Sequence, residues 1–353
     1  MLSDALLTAL ASIVLLGTVI WFHEFGHFIA AKLVGMRVEE LAFGFGPKLI
    51  RLFRRGETEY TIHPIPIGGF TKIAGMEHGD ENIPDGFRSK PRWARFFVYF
   101  SGPFMSLLLA CLVFSALGLT VGLPITRDVV NRVDLVEPGS EAERAGLKTG
   151  DVIVSINGER IDSGMEMLTT IHGSANKRLT IVISREERLI TIRATPKPRE
   201  LEKGKVVGVL GFMPVQRLQR VGLAESVRFG VGATVGFVEA VVGAIFSRQV
   251  KDVVGGPLAI VDAAQTSVKR GANGFLQLVG ILSLSLGIIN LIPIPVVDGG
   301  QMVILVIEGV RRRSFSARTV EITTRVGWTI IMMILILMIY LDLTRVASNK
   351  LFR

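Results

Sequence analysis

The sequence predicts a polytopic α-helical membrane protein with about four transmembrane helices, a membrane-associated β-hairpin or loop, and one inserted soluble α+β domain. Three observations predict it. Of 353 residues, 49% are hydrophobic and 20% are charged, with a mean hydropathy of +0.47. That mixture is too apolar for an ordinary soluble enzyme and suits apolar spans alternating with a soluble portion. The basic residues cluster beside the apolar runs: Arg51, Arg54, Arg55, Arg88, Lys90, Arg92 and Arg95 between the first two, and Arg311, Arg312, Arg313 and Arg318 after a later one. Such clusters mark cytoplasmic loops, so the net charge of +9 points to a lipid bilayer and not to nucleic acid. The single cysteine, Cys111, lies in an apolar run, which excludes an intramolecular disulfide and a cysteine-based zinc site.

The first membrane part covers residues 1–122. Its first span runs over 5–33, and with Asp4 in place of a basic leader it reads as a retained span rather than a signal peptide. Residues 60–73 are β-branched but broken by Pro64 and Pro66 and followed by Gly68-Gly69. Proline confines such strands to sheet edges, so this segment predicts a hairpin or loop with an open edge. The second span covers 96–121. Residues 126–200 are charged, with alternating strand-like runs, and form the soluble domain. A linker and an amphipathic surface helix at 229–247 fill 201–270. A crossing there would put the two basic loops on opposite faces. The second membrane part, 271–353, holds an apolar region broken at Pro293-Ile294-Pro295 and a last span over 326–341.

The chemistry concentrates in His23-Glu24-Phe25-Gly26-His27, inside the first span. On a helix this spacing puts two imidazoles on one face, where both can bind one zinc ion, with Glu24 placed as general base. Catalytic zinc takes three protein ligands. The best third candidate is Asp298, an intramembrane carboxylate between two prolines and Gly299-Gly300. Ionisable groups at such depth are usually functional, and irregular backbone is tolerated there only where it lines a cavity or is buried in protein. His63, His78 and His172 read as loop or surface histidines, and Glu239 and Glu308 as facing water or the interface.

Together these motifs resemble the site-2 protease family of intramembrane zinc metalloproteases, in its bacterial regulator-of-sigma-E protease (RseP-like) type. Further matches are Gly44-Phe45-Gly46-Pro47, Pro66-Ile67-Gly68-Gly69-Phe70, Ser101-Gly102-Pro103 and Gly255-Gly256-Pro257-Leu258-Ala259-Ile260. The insertion resembles a single PDZ domain, through Val136-Glu137-Pro138-Gly139-Ser140, Ala145-Gly146-Leu147-Lys148-Thr149-Gly150-Asp151-Val152-Ile153 and Ile156-Asn157-Gly158. Two departures stand out. Enterobacterial members carry two such domains in tandem, and Ser106 stands where the family often has Asn.

The resemblance implies four spans, zinc held by His23, His27 and Asp298, and Glu24 as base. Asn290 would hydrogen-bond the substrate backbone or the developing oxyanion. It implies regulated proteolysis within the membrane segment of single-span proteins, such as anti-sigma factors or remnant signal peptides. The 60–73 edge would hold an unwound substrate by strand addition, and the PDZ-like domain would take a peptide C-terminus or extended segment. The setting would be the bacterial cytoplasmic (inner) membrane, with the PDZ-like domain outside and the zinc site toward the cytoplasm. Two alternatives are a catalytically inactive PDZ-bearing scaffold, which would tolerate loss of the His, Glu and Asp set, and an ion or proton transporter, which predicts an inverted repeat that the chain lacks.

Overall fold

The computed structural model describes residues 2–76, 83–137, 139–201, 205–246, 263, 264, 267 and 271–351. His78, Pro138 and the glycine-proline run at 255–260 lie outside them. The chain forms two compact units, one from residues 1–120 with 222–353 and one from Val121–Val221.

In the first unit, α1 (Leu2–Leu33) ends in a turn closed by Met36 N–H donating to Ala31 O at 2.8 Å. The chain then enters a four-stranded sheet instead of the expected hairpin. Strands β1 (Val38–Phe45), β2 (Ile50–Arg55), β3 (Thr58–Ile62) and β4 (Ile65–Ile73) stand in the order β2-β3-β1-β4, with β1 and β3 parallel. The pattern of β1 hides because its acids are satisfied inside the sheet. Glu40 Oε1 accepts from Thr61 Oγ1 at 2.6 Å, and Glu39 pairs with Lys72 at 3.4 Å. Pro66 falls on the edge strand β4, where a missing N–H costs nothing. The opposite edge strand, β2, exposes Ile50, Leu52 and Phe53 beside its three arginines.

Helix α2 (Arg92–Thr120) is the hub of this unit. It packs against α1, against α5 (Leu223–Phe246), against α6 (Gly271–Leu291) and against α7 (Asp298–Arg311). Gly230 of α5 meets Cys111 and Ser115, while Gly280 and Gly287 of α6 meet Phe114 and Leu107. Helix α6 therefore starts near the C-terminal end of α2 and runs antiparallel to it, and the first part of α5 meets the same end. Leu305 of α7 joins Ala94, Val98 and Tyr99 in one buried cluster at the other end. This brings the two basic segments together: Arg88, Arg95, Ser314 and Phe315 line one cavity. Helix α8 (Ala317–Leu351) follows. By length and composition, five helices among the described residues are able to cross a membrane: α1, α2, α5, α6 and α8. The sequence reading puts α5 on the membrane surface; in the structure it lies along α2.

The second unit is β-rich. Strand β5 (Leu123–Val136), β6 (Val152–Ile156), β8 (Leu179–Arg185) and β9 (Arg188–Ala194) form an antiparallel sheet edged by β12 (Phe212–Gln219), while β7 (Glu159–Arg160) pairs with β6. Helices α3 (Glu141–Arg144) and α4 (Gly164–His172) are capped by Ser140 and Ser163, whose hydroxyls accept from Glu143 N–H and Glu166 N–H. Ile153, Ile156, Met167, Ile181 and Ile183 fill the core. The unit extends past residue 200. The start of the expected linker is a strand instead: β10 (Lys197–Leu201) pairs with β11 (Lys205–Val209), and β12 completes the sheet.

Candidate metal centre

The spacing of His23 and His27 on α1 puts their rings on one face, one turn apart, and this face is pressed against α2. A Cβ at Gly26 would collide with Ser101 O, and one at Gly102 would collide with His27 Nε2. Glycine at both places lets the backbone of α2 lie directly on the histidines. The two Nε2 atoms stand 3.3 Å apart.

Asp298 arrives from the break between α6 and α7. Pro293 and Pro295 cannot donate and disfavour helix in the residues before them. The break is held by its own turns, Ile294 N–H to Ile292 O at 2.8 Å and Val297 N–H to Ile294 O at 3.0 Å, and by the Gln301 amide donating to Pro295 O. Asp298 is the first residue of α7, which has no side-chain cap; an acid there also suits the positive helix end. Its Oδ2 lies 3.2 Å from His23 Nε2 and 3.5 Å from His27 Nε2.

The far nitrogens of both rings are held. His27 Nδ1 donates to Val98 O at 2.8 Å, and His23 Nδ1 lies 3.1 Å from Ser106 Oγ. A carbonyl only accepts, so the neutral His27 ring turns a bare lone pair toward the other two atoms. Asp298 Oδ2 is buried without a hydrogen-bond donor. Three candidate ligand atoms thus converge, with edges of 3.2, 3.3 and 3.5 Å. Ligands bonded to a tetrahedral zinc ion stand roughly 3.3 Å from one another. The donor set and its spacing therefore fit zinc.

Glu24 is half-buried, with a carboxylate oxygen within 4.8 Å of the ring nitrogens. Thr71 of β4 donates to Glu24 O at 2.9 Å, which ties the open sheet edge to this turn of α1. A cavity of about 410 Å³ adjoins Asp298 and reaches Tyr99, Arg95, Glu308 and Arg88. Asn290 sits in the last turn of α6 and donates to Leu286 O at 3.0 Å; among the described residues it makes no hydrogen bond to the three converging side chains. His172 is exposed. His63 is not a surface residue: it is 5% exposed, donates from Nδ1 to Gly46 O at 2.8 Å and turns Nε2 to Glu40. Glu308 is buried too, because its carboxylate accepts from Phe315 N–H at 2.8 Å at the turn after α7. Ser106, set apart in the sequence only as a departure, proves to contact a histidine of the cluster.

The model of peptidase family M50 matches residues 11–334. The chain belongs to peptidase family M50. It is 28% identical to the regulator of sigma-W protease RasP of Bacillus subtilis, over 96% of this chain and 98% of that protein. It is 30% identical to putative zinc metalloproteases of Mesorhizobium japonicum, over 90% of this chain and 93% of that one, and of Clostridium perfringens, over 91% and 94%. The PDZ domain of the SdrC-like protein of Listeria monocytogenes aligns with 26% of this chain and 94% of its own, at 22% identity and a TM-score of 0.22. This family member is a zinc metalloendopeptidase with helices apolar enough to span a membrane.

Proposed function

We propose that His23, His27 and Asp298 hold the zinc ion and that Glu24 is the general base of an endopeptidase acting inside the membrane. The observation that carries this is the triangle of 3.2, 3.3 and 3.5 Å between the two Nε2 atoms and the carboxylate oxygen. Zinc bound there supplies a Lewis acid for the scissile carbonyl and an acidified water. Glu24 accepts the proton of the attacking water and returns it to the leaving amine. Val98 O holds the His27 ring in place, and the cavity beside Asp298 gives water a polar route to the site.

A helical substrate keeps its carbonyls in its own hydrogen bonds and has to be unwound locally. The free edge of β4, tethered to Glu24 O through Thr71, receives the unwound segment by strand addition. One amide hydrogen of Asn290 is committed to Leu286 O; the other hydrogen and Oδ1 serve the substrate backbone. The substrates are single-span membrane proteins, anti-sigma factors or signal-peptide remnants, in keeping with the sigma-W regulator named among the relatives. The Val121–Val221 unit is PDZ-like and binds a peptide C-terminus or an extended segment at its edge strand β12.

We place the crossings at α1, α2, α6 and α8 of the bacterial cytoplasmic membrane. The shared basic end of the bundle faces the cytoplasm, with the zinc site toward it and the Val121–Val221 unit outside. Helix α5 starts at the same end of α2 as α6, so it leaves that sidedness unchanged. The exposed apolar and basic residues of β2 rest on the lipid surface.

The test is a comparison of membrane proteomes from cells carrying the wild-type or the Glu24→Gln chain. Single-span fragments should accumulate in the variant, whose purified form should still carry about one zinc per chain. Cleavage that persists in Glu24→Gln rules out the assigned base.

A further inference from the structure

We propose that Ser106 is a positioning residue that sets the tautomer of His23 by accepting its Nδ1 proton, which leaves Nε2 bare for the metal. The inference rests on His23 being a ligand. A neutral imidazole carries one proton, and a metal-binding nitrogen requires that proton on the other nitrogen. For His27 the matter is closed, because its Nδ1 faces a backbone carbonyl at 2.8 Å, which can only accept. For His23 it is open. Its Nδ1 faces the Ser106 hydroxyl at 3.1 Å, which can donate or accept.

Two proton arrangements are therefore available. In one, His23 donates from Nδ1 to Ser106 Oγ and keeps Nε2 bare. In the other, Ser106 donates to Nδ1, and His23 donates from Nε2 to the bare Nε2 of His27, 3.3 Å away. The second arrangement closes the site on itself and blocks the metal. Ser106 is fully buried, so no water can replace its hydroxyl. Its backbone is pinned from α6, where the equally buried Ser283 donates to Ser106 O at 2.8 Å. Removing the hydroxyl would strand a proton on Nδ1 without an acceptor. The ring escapes that penalty by moving the proton to Nε2, where His27 Nε2 accepts it. One hydroxyl thus decides whether the triangle is open to a cation.

The experiment uses the purified full chain in detergent and measures zinc affinity by chelator competition for wild type, Ser106→Ala, Ser106→Asn and His23→Ala. Partners of this kind are worth 10- to 100-fold in metal affinity. Ser106→Ala should bind zinc about 10- to 100-fold more weakly, and Ser106→Asn, which returns an acceptor oxygen, should restore affinity. Histidine-selective 15N spectra of the zinc-free protein should show one ring exchanging its Nδ1–H form for the Nε2–H form in Ser106→Ala, and that signal should be missing in His23→Ala. Wild-type affinity in Ser106→Ala overturns the proposal. If Ser106→Ala also melts at a lower temperature, Ser106→Asn decides: affinity left at the alanine level overturns it. Undiminished affinity in His23→Ala would instead remove the ligand assignment itself, a separate failure.

Discussion

Helix α1 and the α6–α7 break deliver the proposed ligand atoms to the same point by opposite means. In α1 the helix itself does the work, since residues four apart share a face whatever surrounds them. The break delivers a single atom, Asp298 Oδ2, and its place depends on Pro293, Pro295, Gly299, Gly300 and the packing of Leu305 against α2. One half of the site is local and tolerant. The other is assembled by tertiary structure, and small backbone changes far from the metal will reach it.

The largest effect tests the local half. Glu24→Gln keeps the shape and removes the proposed base. A positioned general base contributes about 10²- to 10⁴-fold, so the peptide cleavage rate should fall by that factor while zinc content and melting temperature stay at wild-type values. A fall in zinc content would mean that Glu24 belongs to the ligand set instead. On the outer face of the same turn, Phe25 stacks on Trp21 and Phe28, away from the cluster. Phe25→Leu removes these ring contacts on the side of α1 away from the cluster, so zinc binding should stay at the wild-type level.

The assembled half should behave differently. A Cβ at Gly300 would land on Ile294 O, a backbone atom that cannot swing aside. Gly300→Ala is expected to cost about 1–3 kcal/mol by overpacking and to pull Asp298 off the triangle. Zinc affinity should drop at least about tenfold, on the scale of a lost supporting contact. An unchanged zinc affinity in Gly300→Ala would show that the break is looser than its hydrogen bonds suggest and would narrow the contrast with α1.

The same contrast explains what the amino-acid sequence discloses. Paired histidines in an apolar helix are visible at once, because their geometry is intrinsic to the helix. That Asp298 stands beside them is readable because an ionisable group amid prolines and glycines in an apolar run has few other places to be. The sheet of β1 to β4 is under-read as a hairpin: Glu39 and Glu40 break the apolar pattern, and only the folded chain supplies Lys72 and Thr61 as partners. His63 and Glu308 look solvated for the same reason, since their partners Gly46 O and Phe315 N–H are backbone groups that no pattern advertises. Ser106 is legible only as an oddity, because its partner His23 lies 83 residues away on another helix.

The smallest effect on the metal centre should come from the Val121–Val221 unit. Burial alone would raise the Asp151 carboxyl, but Arg185 and the Lys148 N–H outweigh it and hold the group below its ordinary value. The guanidinium is bidentate, with both contacts at 2.7 Å, and the Asp151 side chain is 1% exposed. A depressed folded pKa gives stability that is present in full above the unfolded value of about 4 and is lost as pH falls through the folded one. Thermal melts of the full chain should therefore show this unit weakening as pH drops from about 5 toward 3. Arg185→Gln strands a buried carboxylate and should cost about 3 kcal/mol at neutral pH. The variant should regain part of that loss as pH falls, since burial without the guanidinium favours the neutral carboxyl. Zinc content should match wild type throughout. A loss of zinc in Arg185→Gln would mean that the metal centre leans on this second unit, and the division into a local half and an assembled half would need a third contributor.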